Sequence, residues 1–280
     1  MLLALHANLT DVNDDGIKSI ILQEVDEASD LYGVVLLALD GVYRKDQGGM
    51  CMEATHLYTP NKFVRGLTKG HPKALFGASV HPYRRDAVQE AEHCLELDPE
   101  NPYSPAVVLF KWAPSAQQID PADDACVPFY EFLAERNVPL LCHTEAEHAI
   151  PTSDEAANRF NHPCRLLKAL KLGVRVIAAH CATAFWSEAI EQDCFEDFLC
   201  MLRESEFLYG DISAFCWPQR IHYLKAHRCK QGFCRDWRRH RWNGHRQNPN
   251  GAIRARGQGR TCGTDCRKHK GYGGFCSDRA

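Results

Sequence analysis

The chain has no apolar run near the roughly 18–20 residues that cross a bilayer, and its mean hydropathy is −0.38. A membrane-spanning helix is therefore excluded as an organising element. The opening MLLALHANLT is apolar for five residues and has neither a basic leader nor a cleavage site, so it does not read as a signal peptide. Neither GxGxxG nor GxxxxGK[ST] follows any strand-like run, and the glycine-rich phosphate cradles they encode are absent. What is present is ordinary for a folded protein: 45% hydrophobic, 25% charged and 10% aromatic residues in 280, which excludes a chain disordered or fibrous throughout. That length holds one large domain or two small ones, and an α/β barrel of this size is one.

The net charge of −3 conceals two regions. Residues 228–280 hold 14 Lys and Arg against three acidic residues, nine of the 19 glycines and five of the 14 cysteines, with no Leu, Val, Met or Glu. Residues 1–227 hold 19 basic and 33 acidic residues. A segment so poor in aliphatic side chains cannot offset the entropy of ordering it. The sequence predicts a folded body over 1–227 and a disordered basic tail of foreign composition.

Within the body, two kinds of segment alternate. LYGVVLLALD (31–40), ALFGASV (74–80), AVVLFKW (106–112), VPLLCHT (138–144), VRVIAAH (174–180) and EFLYGDIS (206–213) are short, β-branched and continuously apolar, as strands buried on both faces are. IKSIILQEVDEAS (17–29), DAVQEAEHCLEL (86–97), DDACVPFYEFLAER (123–136), RLLKALKLG (165–173) and FEDFLCMLRES (195–205) have helical spacing. Gly173 stands where a helix C′ cap belongs. Strand and helix in alternation give a parallel sheet, doubly wound or closed as a barrel. The strand ends favour a (β/α)8 barrel, because Asp40, His81, Lys111, His143, His180 and Asp211 all sit there, and barrel strand ends converge on one site.

Four of these carry the chemistry. His143 and His180 end successive strands and can offer neutral ring nitrogens to one divalent metal, zinc or manganese. Lys111 either bridges metals as a carbamate or supplies positive charge near a substrate. Asp211 is the fourth. Each also has a structural reading: Asp211 can cap the turn at Ser213, His81-Pro82 can be a turn signal, and Lys111 can reach solvent. Cys181 beside His180 reads as packing rather than as a nucleophile.

The runs FGASVHPYRRDAVQE, LFKWAPSAQQIDPAD, PFYEFLAERNVPLLCHTEAEHAI, NHPCRLLKALKLGVRVIAAHCAT and LYGDISAF resemble the amidohydrolase superfamily, of the amidohydrolase-2 type, over about 15–227. HTEAEH and VIAAHC are the most specific parts. The resemblance implies a (β/α)8 barrel and metal-assisted hydrolysis of an amide, ester or carboxylated small molecule; some members instead decarboxylate or hydrate ring-derived acids. It places His143 and His180 at the fifth- and sixth-strand metal ligands, and Lys111 where binuclear members of the wider superfamily carry a carbamylated lysine. Lys111 and Asp211 are the catalytic candidates among the strand ends.

Two parts of that pattern are missing. No His-x-His occurs anywhere, His6 being followed by Ala7 and Asn8, and no strand-like run ending in Asp follows the segment 221–227. The expectation is a barrel lacking its first and last strands, with Asp211 on the seventh strand rather than standing in for the missing ligand. Such a chain is expected to hold metal weakly and to turn over little, which keeps a non-catalytic barrel as the alternative. The tail reads either as sequence in another frame or as a functional basic extension. Cys262, Cys266, His269 and Cys276, with Cys229, Cys234, His240 and His245 nearby, could bind zinc, and Arg235–Arg241 with Trp237 and Trp242 would stick to polyanions through charge. Body cysteines follow no disulfide spacing, which with no export signal points to the cytosol.

Overall fold

The computed structural model describes residues 13–46, 48–96, 107–151, 155–185 and 194–223. The tail and its cysteines and histidines lie outside these, as does His6. Six strands are present: β1 (Val34–Leu37), β2 (Ala74–Ala78), β3 (Leu109–Trp112), β4 (Leu140–Cys142), β5 (Val176–Ala178) and β6 (Leu208–Gly210). Every neighbouring pair is parallel and the spatial order equals the chain order. A doubly wound sheet reverses its order at a switch point, and this one does not. The fold is the α/β type expected, a wall of parallel strands in barrel sequence. Among the described residues β1 and β6 are its edges.

Helices α1 (Asp14–Glu27), α2 (Asn61–Thr68), α3 (Ala87–Leu95), α4 (Pro114–Gln117), α5 (Val127–Arg136), α6 (Leu167–Lys171) and α7 (Phe195–Glu204) precede or link the strands. Asn13 caps α1, its side chain accepting from the Gly16 amide. At the other end of α6, Gly173 takes φ +81°, its amide donating to Leu170 and that of Val174 to Ala169. This double bond is the Schellman closure, which needs a left-handed residue and so selects glycine there. Helix α2 is absent from the sequence expectations, because only Val64, Leu67 and Thr68 of its eight residues are buried.

Register sorts the sheet into two faces. Phe110, Leu140, Val176 and Leu208 lie in one row and are all buried, whereas Lys111, Leu141, Ile177 and Tyr209 form the adjacent row and are half-buried. Strand side chains alternate, so these rows face opposite ways. The first row packs on helices: Phe110 meets Phe129 and Phe132 edge-on at 5.5 and 6.4 Å, and Trp112 stacks on Phe129 at 5.3 Å. Lys111 therefore projects from the face opposite this core. Phe110 has no exposed surface. Phe110→Ala is expected to cost about 3–5 kcal/mol, read as a lowered midpoint in urea unfolding.

Candidate active site

The site is built where β4, β5 and β6 end. The amide of His143 donates to Trp112 O, 3.0 Å, extending the β3–β4 ladder one residue beyond the strand. Two residues past Leu141, its ring lies on the Lys111 face. The loop after it is pinned by asparagines: Asn161 Nδ2 donates to the Glu145 carbonyl at 2.6 Å, and the Glu147 amide donates to Asn158 Oδ1 at 3.1 Å.

His180 follows β5 in an unusual backbone. His180, Cys181 and Ala182 have φ of 57°, 53° and 54°, three consecutive non-glycine residues in the left-handed region, each costing about 1–2 kcal/mol. Hydrogen bonds hold the turn: Thr144 Oγ1 donates to Ala179 O at 2.8 Å, Thr183 Oγ1 to His180 O at 2.7 Å, and Cys181 Sγ to Asp211 O at 3.3 Å.

This turn brings the rings of His180 and His143 edge to face, 5.4 Å apart. His180 Nδ1 lies 3.2 Å from Ser213 O and 2.9 Å from Ser213 Oγ, so the Nδ1 proton has a carbonyl to receive it. The lone pair is left on Nε2, which sits 3.5 Å from Glu145 Oε1. His143 repeats the arrangement. Its Nε2 is buried without a hydrogen-bond partner and lies 3.7 Å from Glu147 Oε2, so the backbone hydrogen bond it makes with Ala146 belongs to Nδ1. Burial first, then the charges of Lys111, His180 and Arg220, holds His143 well below the ordinary histidine pKa. Burial, Arg220 and Lys111 lower His180. Burial thus disfavours the protonated form of both rings, whose remaining nitrogens face carboxylates.

Donor atoms of His143, Glu145 and His180 lie within 4.8 Å of one another. Two imidazoles and a carboxylate are the donor set of a catalytic zinc site, and Nε2 of His143 is buried with no hydrogen-bond partner. These residues fit a divalent ion. Glu145 was not anticipated from the sequence; the available signal was an acid two residues after a strand-end histidine, within HTEAEH. Lys111 is close enough for its charge to act on both histidines, and burial pushes its own pKa down. Burying an ammonium favours the neutral amine.

Asp211 has its structural role. Its Oδ1 accepts from the Ser213 amide at 2.9 Å, and its Oδ2 accepts from Ser213 Oγ. It thus orients the serine that orients His180. His81 stands apart, with no exposed surface: Nε2 donates to Gln117 O at 2.8 Å and Nδ1 accepts from the Tyr83 amide at 3.1 Å. With both nitrogens engaged, it has no lone pair for a metal. A second cluster, His162, Cys164 and Asp197, is also compact. There Nδ1 of His162 accepts from the Cys164 amide, which leaves the proton on Nε2, facing Asp197 at 3.4 Å. That is a helix cap with an ion partner rather than a ligand set.

No family model matches the chain, and neither does any curated protein. Among solved structures it aligns with a Pseudomonas putida protein assigned as a 2-pyrone-4,6-dicarboxylic acid hydrolase, with TM-score 0.34 and 10% identity over 69% of this chain and 76% of that one. At that level the likeness carries no inference. No helix among the described residues is long and apolar enough to cross a membrane.

His81 makes the pH dependence of stability testable. Burial depresses its folded-state pKa to about 3, below the unfolded value near 6.5. The unfolded chain then binds a proton that the native chain does not. Its contribution is complete above pH about 6.5 and is lost as pH falls toward 3, at up to about 1.4 kcal/mol per pH unit. Urea unfolding from pH 7.5 to 4.5 is expected to show a shallower loss in His81→Asn than in the wild type; equal slopes would refute this assignment.

Proposed function

We propose that the chain is a metal-dependent hydrolase of the amidohydrolase type, with His143, Glu145 and His180 holding the ion. The observation that carries the reading is geometric: donor atoms of His143, Glu145 and His180 lie within 4.8 Å of one another, and Nε2 of His143 is buried with no hydrogen-bond partner. Like-signed electron density is placed together in a water-poor site, an arrangement that a divalent cation stabilises. The sequence resemblance supports the same two histidines independently. A bound zinc or manganese ion would supply positive charge to polarise a carbonyl and to acidify water.

The remaining roles belong to the chain's own groups. Ser213 and Asp211 fix the tautomer of His180, as partners beyond the ligands do in metal sites. Glu147, 3.7 Å from His143 Nε2, is a carboxylate outside the ligand set and the candidate proton acceptor. Lys111, on the inner row of the sheet beside Leu141, is placed to hydrogen-bond the carboxylate of a substrate. The substrate in this reading is a small molecule with an amide, ester or ring carbonyl, and the proposed compartment is the cytosol. A second reading, a barrel that keeps the site pattern without turnover, is favoured by one observation. Asp211 is engaged by Ser213, and among the described residues no strand follows β6 to bring a further aspartate to the site.

Metal analysis and amidase and esterase assays with zinc or manganese separate these. The expected result is about one ion per chain, lost in His143→Ala, His180→Ala and Glu145→Gln together with any turnover. Ser213→Ala removes the hydroxyl but keeps the carbonyl that receives the Nδ1 proton, and should weaken ion binding by less than about 10-fold. Tightly bound ion with no turnover toward any carbonyl substrate would favour the second reading; ion binding indifferent to His143 and His180 would refute the first.

A further inference from the structure

Arg220 is the least satisfied cation near the site. Its side chain is 2% exposed and pairs through Nη2 with Glu145. Nε and Nη1 are buried with no hydrogen-bond partner. The guanidinium lies over the Phe185 ring, 5.2 Å from its centroid, and that contact satisfies no N–H. Idle donors in a buried guanidinium are costly, and they call for an anion. Glu145, its one carboxylate partner, is also the acidic member of the candidate ligand set. Two cations therefore have claims on one carboxylate.

Building on the metal-site reading above, we propose that Arg220 exchanges partners: without a metal ion it neutralises Glu145, and with an ion on Glu145 it becomes the docking point for the carboxylate of an anionic ligand. A divalent ion at Glu145 draws that carboxylate's charge away from the guanidinium and adds repulsion between the two cations. Arg220 is left with unpaired nitrogens in a planar fork, and a carboxylate is the group that satisfies two of them at once. The consequence is linkage: metal and carboxylate each raise the other's affinity, and by the same factor.

The test is ion binding, with no need for turnover. Zinc titrations by calorimetry and cobalt titrations by absorption are run on the full chain as wild type, R220Q, R220K and H180A, each with and without benzoate as the carboxylate probe. R220Q lacks the competitor and is expected to bind the ions about tenfold or more tightly than wild type. Benzoate is expected to tighten ion binding several-fold in wild type, to act partially in R220K and to have no effect in R220Q. Unchanged or weaker ion binding in R220Q overturns the proposal, as does an equal benzoate effect in R220Q and wild type. If circular dichroism shows R220Q unfolded, R220K decides: it should bind ions more tightly than wild type with a reduced benzoate effect, and identity with wild type on both counts overturns the proposal. Loss of binding in H180A with no change in R220Q leaves the metal site standing and removes the exchange alone. Binding that is equal in wild type and H180A removes both.

Discussion

Where a parallel ladder stops, the peptide groups just past its last residue still need partners, since packed helices and neighbouring strands keep water away. Here the partners come largely from side chains of neighbouring segments. Ser79 Oγ donates to the Lys111 carbonyl, and Trp112 Nε1 to the Val80 carbonyl. Asn61 closes on both backbone groups of Ser79, with Oδ1 accepting and Nδ2 donating. Asp40 accepts the amides of Gly41 and His81, and Gln117 Nε2 reaches the Asp40 carbonyl. Thr144 does the same for Ala179. The C-terminal rim of the sheet is thus stitched laterally by polar side chains, and the spacing of the strand ends depends on that stitching.

The same constraint separates structure from chemistry on one rim. Asp40 is buried, and its pKa is raised by that burial, but its oxygens accept from two amides and from Arg84. His81 has both ring nitrogens engaged. His143 and His180 have one nitrogen each on the backbone and one left over. His81 and His143 are both buried strand-end histidines. What differs is whether the stitching leaves an atom unassigned, and that happens at β4 and β5, not at β1 and β2.

Legibility from the sequence follows the same division. All six strands lie inside the apolar runs picked out in advance, because a strand buried on both faces carries its signature in consecutive residues. The order of the sheet was legible only as a preference, since periodicity does not distinguish an open sheet from a barrel wall. His143, His180 and Lys111 were legible as strand-end residues, and they do share one face and one electrostatic neighbourhood. Asp211 was legible in its lesser reading, the cap at Ser213. Glu145 and Arg220 were not: one lies on an irregular loop, the other 75 positions away in a segment without regular structure, and their pairing is a product of folding alone. Helix α2 was missed for a related reason, too few buried positions in eight residues for a period to show.

Unfavourable features gather at this end of the sheet. Three left-handed residues at 180–182, the partnerless Nε2 of His143, two idle nitrogens of Arg220 and a half-buried lysine gather near one pair of carboxylates. The other buried orphan atoms of the described residues are the ring nitrogens of His71, near Asp26, and Nε of Arg175. Each orphan costs about 1–3 kcal/mol, offset by the aromatic core on the opposite face, where Phe110, Trp112 and Phe129 have almost no exposed surface. Hydrogen bonds from Thr144 and Thr183 hold the left-handed turn in place, so the backbone cannot relax to relieve it without releasing the stitching between β4 and β5. On the proposed reading an ion relieves the local cost at its source, giving the lone pairs of His143 and His180 and the charge of Glu145 a common partner. Binding energy of that kind adds to the stability of the native chain in proportion to the logarithm of ion concentration. The rim that is most strained without an ion is therefore the part of the fold whose stability should depend most on having one.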